Sequence, residues 1–104
     1  MNETDYVVKV LNYSRDGNIS DDSVDVVVHF GDGSRYSATF FTVENIRSLL
    51  KSYRASGECA SGKYLWAANM IVIESLDLST IEVAVADLIR TGEFTRAFDG
   101  PHIE

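Results

Sequence analysis

Val24-Asp25-Val26-Val27-Val28-His29-Phe30-Gly31-Asp32-Gly33-Ser34-Arg35-Tyr36-Ser37-Ala38-Thr39-Phe40 is the stretch on which the fold turns. Val24, Val26, Val28 and Phe30 alternate with Asp25, Val27 and His29, the period of a strand with one buried face. Tyr36, Ala38 and Phe40 repeat that period on the far side of a glycine-flanked aspartate. Directly opposed residues in an antiparallel pair share a face, so the apolar stripes themselves test the turn. A two-residue loop, Asp32-Gly33, makes opposed positions sum to 65 and sets Val28 against Ser37 and Val26 against Thr39. A three-residue loop, Gly31-Asp32-Gly33, makes them sum to 64 and pairs Val28 with Tyr36, Val26 with Ala38 and Val24 with Phe40. The second register keeps apolar against apolar. It requires a left-handed residue at the end of the loop, where Gly33 stands.

Working outward, Tyr6 to Leu11 is rich in β-branched residues and reads as a preceding strand, with Ser14 to Ser23 a polar loop between. Downstream, Thr42 reads as an N-cap for a helix carrying Val43, Ile46, Leu49, Leu50 and Tyr53, ended by Gly57. Leu65 to Ile73 reads as a central strand, because Met70-Ile71-Val72-Ile73 shows no alternation. Ser79 and Glu82 have capping-box spacing before a second helix bearing Ile81, Ala84, Val85, Leu88 and Ile89, with Gly92 at its end. Phe94 and Phe98 fold back as a last turn. The expected class is α+β: an antiparallel β-meander plus a fourth strand, with two helices packed on one face, in the order β-β-β-α-β-α. One domain spans residues 1–104, with short disordered ends at about 1–4 and 99–104.

Sixteen acidic against nine basic residues in 104 leave a net charge of -7, which argues against a direct grip on nucleic-acid phosphates and favours a basic partner. The single cysteine, Cys59, excludes an internal disulfide framework and a multi-cysteine zinc site. No stretch reads as a secretory signal or a membrane span, so a soluble cytoplasmic protein without membrane contact is expected.

Motifs for chemistry are incomplete. Gly57 to Tyr64 approaches a phosphate-binding loop, but Tyr64 replaces the magnesium-binding hydroxyl, and the segment follows a helix and leads into a strand, the reverse of what that loop needs. Asp16, Asn18, Ser20 and Asp22 have calcium-loop spacing, yet Asp21 stands at the glycine position and Val27 at the closing glutamate. His29 and His102 belong to no metal or triad spacing, and Cys59 lacks a partner base. No catalytic, cofactor-binding or metal residues are therefore expected. Tyr64 and Trp66, beside Glu58 and Lys63, read either as core at a strand entrance or as an interface anchor.

Gly62-Lys63-Tyr64-Leu65-Trp66-Ala67-Ala68-Asn69-Met70-Ile71-Val72, with Phe41 to Ile46 upstream and Leu88 to Phe94 downstream, resembles the small acidic bacterial immunity proteins of contact-dependent growth inhibition and related polymorphic toxin systems. The resemblance implies a non-enzymatic inhibitor that binds a cognate toxin domain, often a basic nuclease, and blocks its active site or substrate surface. On the charge pattern, the candidate contacts are Asp16, Asp21, Asp22 and Asp25, with Asp32 on the neighbouring turn, and Glu58, Tyr64 and Trp66 form a second candidate patch. The alternatives are a small ligand-binding or enzymatic domain with a pocket near Cys59 and His29, and a homodimeric structural module pairing through the first strand.

Overall fold

The computed structural model of the chain describes residues 5–11 and 21–103. It is α+β, with the elements β1 (Tyr6–Leu11), β2 (Ser23–Phe30), β3 (Ser34–Thr42), α1 (Val43–Ser56), α2 (Glu58–Gly62), β4 (Met70–Ile73), α3 (Leu78–Thr91), α4 (Phe94–Ala97) and β5 (Asp99–Ile103). The polar loop expected over Ser14 to Ser23 and the chain end at 1–4 lie mostly or wholly outside the described residues.

The first three strands form the antiparallel meander in the register that the apolar stripes require, with Val28 opposite Tyr36, Val26 opposite Ala38 and Val24 opposite Phe40. The turn closes through a hydrogen bond from Gly33 N to Phe30 O, and Gly33 has φ +90°. Asp32 fixes the same turn by accepting from the Ser34 hydroxyl and main-chain N–H, which hold its carboxyl below the usual carboxylate range.

β4 and β5 share one edge of β3. Parallel β4 pairs with its C-terminal half, Thr39 opposite Met70 through Thr42 opposite Ile73. Antiparallel β5 pairs with its N-terminal half, from Ser34 opposite Ile103 to Ser37 opposite Asp99, with a register shift between Arg35 and Ser37. Two expectations change here. The strand expected over Leu65 to Ile73 contracts to four residues at the sheet edge and leaves Val72 exposed. The tail expected to be disordered from about 99 forms β5 up to Ile103; extended backbone around the single proline is accommodated because β5 is itself an edge strand.

The core lies on one face of the sheet. Val24, Val26, Val28, Phe30, Tyr36, Ala38 and Phe40 project onto Ile81, Val85 and Ile89 of α3 and onto Ile73, Leu76, Phe94 and Phe98. Burying each large side chain contributes about 1.5–3 kcal/mol. The aromatic members interlock: Phe94 stacks on Phe98 at 4.4 Å between ring centroids and meets Tyr36 at 5.1 Å and Phe30 at 5.6 Å, both edge-on.

Helix caps follow side-chain chemistry. Thr42 Oγ1 accepts from Asn45 N at 3.1 Å, and Gly57 and Gly92 end α1 and α3 in left-handed conformation. For α3 the cap is Asp77 rather than the Ser79–Glu82 box: its carboxylate accepts from Thr80 N at 3.0 Å and from the Ser75, Ser79 and Thr80 hydroxyls. A carboxylate surrounded by four donors outcompetes a serine two residues later, and those donors hold Asp77 far below its ordinary range.

α1 contributes no fully buried residue, whereas α3 and α4 cover the sheet. Thr42 is both the last paired residue of β3 and the N-cap of α1, so no connecting residues remain to swing the helix across the core face. After α1 the chain turns back through Cys59, Ala60 and Ser61, three consecutive left-handed residues flanked by Gly57 and Gly62. Gly62 packs directly against the Leu50 carbonyl of α1, where a Cβ has no room. This replaces the open loop expected around Cys59 and gives it no helix N-terminus suited to a phosphate.

Candidate functional site

Alternation sends the odd-numbered residues of β1, β2 and β3 to the face opposite the core. Three rows cross it: Val7, His29, Arg35 and His102; Lys9, Val27, Ser37 and Asp99; and Leu11, Asp25, Thr39 and Met70. These are the polar and half-exposed positions of each strand, and the helices that cover the core pack against the other side.

A cleft of about 490 Å³ opens on this outer face where β4 and β5 meet along β3. Its polar lining is Asp25, Arg35, Ser37, Thr39, Asn69, Asp99 and His102, with Leu11, Val27 and Ala68 as apolar wall. Tyr36 and Ala38 also line it, and since their side chains belong to the core, they contribute main chain to its floor.

The groups around the cleft are fixed by hydrogen bonds. Thr39 Oγ1 donates to Asp25 Oδ1 at 2.9 Å. His102 Nε2 and Asp99 Oδ2 lie 3.0 Å apart. Asn69 Nδ2 donates to Ala97 O at 3.1 Å while Asn69 O accepts from Thr39 N at 3.1 Å. Asn69 thereby ties the start of β4 to the end of α4, just before Asp99. Its φ of +52° is one that asparagine tolerates better than most residues. Arg35 is exposed and makes no ion pair among the described residues.

The residues expected to make contacts do not converge. Asp16 lies outside the described residues. Asp21 accepts from Asn45 Nδ2 at 3.4 Å and from Ser48 Oγ at 3.0 Å, and so joins the start of β2 to α1. Asp22 accepts from Ser23 N at 2.8 Å through its carboxylate and from Thr42 N at 3.2 Å through its carbonyl. Asp32 sits at the other end of β2, about 24 Å away by strand rise. Asp25 alone of the group enters the cleft.

Glu58, Tyr64 and Trp66 are all exposed, Trp66 at 70%, which decides against Trp66 as core packing. Trp66 precedes Asn69 by three residues, so its Cα lies no more than about 11 Å from that of a cleft residue. His29 neighbours Arg35 in register but does not line this cleft, and Cys59 lies in the turn that follows α1.

Sequence reasoning passed over Arg35, Ser37, Thr39, Asn69, Asp99 and His102. For the first three the signal was present: the register that pairs Val26 with Ala38 also pairs Asp25 with Thr39 and His29 with Arg35. Among the described residues no group of three or more His, Cys, Asp or Glu is placed to hold a metal ion, and no helix is long and apolar enough to cross a membrane. Compared with known proteins, the chain matches no family model, no curated protein and no solved structure.

Proposed function

We propose that the chain is an acidic immunity-type protein that neutralises a basic toxin domain, a nuclease above all, by covering its active site or substrate surface, with no catalysis of its own. The observation that carries this reading is how the carboxylates at the start of β2 are held. The donors to Asp21 are the amide of Asn45 and the hydroxyl of Ser48, and the donor to the Asp22 carboxylate is a main-chain N–H. Neutral donors fix a carboxylate in position without cancelling its charge, and Glu44 in the first turn of α1 adds a further negative group nearby. Preorganised negative charge of this kind accelerates encounter with a cationic surface and loses its effect with salt.

The test is co-expression with a toxin-like domain encoded beside this chain. A one-to-one complex that abolishes the toxin's activity is the expected result, and Asp21→Lys with Asp22→Lys should slow association and flatten its salt dependence. No binding to such a domain refutes the function; binding with unchanged rate and salt slope in the double variant moves the interface away from the start of β2. The cleft favours a second reading, a ligand-binding domain, because it brings a titratable pair, Asp99 and His102, to a concave surface.

A further inference from the structure

α1 carries a stripe of cations in a chain that is otherwise acidic. Arg47, Lys51 and Arg54 follow the i, i+4, i+7 spacing that places side chains on one side of a helix, and all three are exposed. The stripe runs about 10 Å along the helix. Gly62, packed against Leu50 and Arg54, brings its chain neighbour Lys63 to the same end of α1. None of these four side chains makes an ion pair among the described residues. Residues 43–66 hold four basic residues against two acidic ones, Glu44 and Glu58, a net charge of +2, while the rest of the chain holds five basic and fourteen acidic residues, a net charge of -9. Glu44, and Asp21 bonded to Asn45 and Ser48, stand by the first two turns of α1, so attraction for an anion is strongest toward Arg54 and Lys63.

Apolar surface accompanies the cations. Val43, one turn before Arg47, is 47% exposed, and Tyr64 and Trp66, within three residues of Lys63, are 52% and 70% exposed. Ile46, Leu49, Leu50 and Tyr53 of α1 are only half-buried. A soluble polyanion would answer the cations and leave this apolar surface in water. An anionic bilayer answers both, because headgroups take the cations while tryptophan, tyrosine and aliphatic side chains enter the boundary beneath them. We infer that α1 and the segment Lys63 to Trp66 form a peripheral docking surface for an anionic phospholipid membrane. The contact lies along the interface, and no helix among the described residues is long and apolar enough to cross a bilayer. Carboxylates elsewhere on the chain oppose it only within about a Debye length of the lipid, about 8 Å at physiological salt. The surface needs neither a toxin nor a ligand in the cleft.

Trp66 is the single tryptophan, so its emission reports the contact directly. The probe is a vesicle of phosphatidylcholine, with or without about 30% phosphatidylglycerol, titrated into the full chain at low salt. Anionic vesicles should shift the emission to the blue, neutral ones should not, and about 0.5 M salt should reverse the shift. Lys51→Gln with Lys63→Gln should weaken partitioning at least about tenfold, since each cation near the surface contributes about fivefold. Both side chains are exposed, and circular dichroism of the double variant should match that of the native chain. Trp66→Ala, followed by co-sedimentation, should lower the bound fraction at equal lipid. No blue shift with anionic vesicles, an equal shift with neutral ones, or unchanged partitioning in the folded double variant overturns the proposal. Binding of polyglutamate or oligothymidylate as tight as that of the vesicles would assign the stripe to an acidic protein or a nucleic acid and overturn it equally.

Discussion

Replacing Phe94 by alanine tests whether the C-terminal turn is part of the cooperative core. Phe94 is 2% exposed and touches three other rings, with centroids at 4.4 Å from Phe98, 5.1 Å from Tyr36 and 5.6 Å from Phe30. Removing a fully buried phenylalanine forfeits its transfer energy and leaves a cavity, together about 3–5 kcal/mol. The ring pairs add about 0.5–1.5 kcal/mol each when taken singly, but they share one side chain and do not sum, so the upper part of that range is the reasoned value. Against a total stability of about 5–15 kcal/mol for a domain of this size, Phe94→Ala therefore removes a third or more of the folding free energy. Phe94→Leu, which keeps most of the volume and loses the ring contacts, should cost about 1–2 kcal/mol. Urea unfolding followed by circular dichroism gives both values from the shift in midpoint at constant slope. The second readout is hydrogen exchange at Thr39 N, whose acceptor, the Asn69 carbonyl, belongs to the residue latched to Ala97 O at the end of α4. A loss below about 1 kcal/mol for the alanine variant would show α4 to be peripheral and would refute the four-ring account.

Gly33→Ala and Gly62→Ala separate backbone preference from space. Both glycines have positive φ, but a Cβ at Gly33 meets no atom within 4 Å, whereas one at Gly62 strikes the Leu50 carbonyl oxygen. Gly33→Ala should cost about 1 kcal/mol and Gly62→Ala at least about twice that, read as the difference between their thermal midpoints. For acid pH, Asp77 and Asp32 both have folded carboxyls below the ordinary value of 3.8. A depressed folded value means that the unfolded chain takes up the proton first, so these groups stabilise the fold above about pH 4 and their contribution is lost as pH falls through the folded values. Asp77→Asn should flatten the acid limb of stability against pH below 4 relative to the native chain, and parallel limbs would show that Asp77 carries no linkage.

The meander was legible because its information is local. The alternation of Val24, Val26 and Val28 with that of Tyr36, Ala38 and Phe40 admits one register, and a glycine able to take positive φ stands at the required place. Thr42, Gly57 and Gly92 were legible for the same reason, since a cap acts within a few residues of itself. Asp77 was missed because capping-box spacing weighs one serine and one glutamate, while the actual cap gains its advantage from three hydroxyls at Ser75, Ser79 and Thr80 acting together. β5 carries no local signal at all. Residues 99–104 read as a disordered end, and Asp99–Ile103 becomes a strand only because β4 is too short to occupy the whole edge of β3. The cleft inherits that difficulty. The part of its lining on β1, β2 and β3 could be read from the register, and the rest, Ala68, Asn69, Asp99 and His102, comes from an edge shared by two strands that no periodicity announces.

The two functional readings make opposite demands on the same carboxylates, and Asp25 is where they meet. A charge that steers a basic partner acts through the field, so its removal changes an association rate modestly and in a salt-dependent way. A charge that binds a ligand in the cleft acts at contact, so its removal abolishes one specific discrimination at any salt. Asp21 and Asp22 sit at the start of β2, outside the cleft, and can serve only the first role, whereas Asp25 lines the cleft and is held by Thr39. Comparing Asp25→Asn with the Asp21, Asp22 double variant therefore assigns the site by mechanism. If the double variant alone alters association with a basic domain, the field dominates and the cleft is spectator surface to it. If Asp25→Asn alone removes ligand binding in the cleft, the acidic balance of the chain and its cleft are separate properties that happen to share one residue.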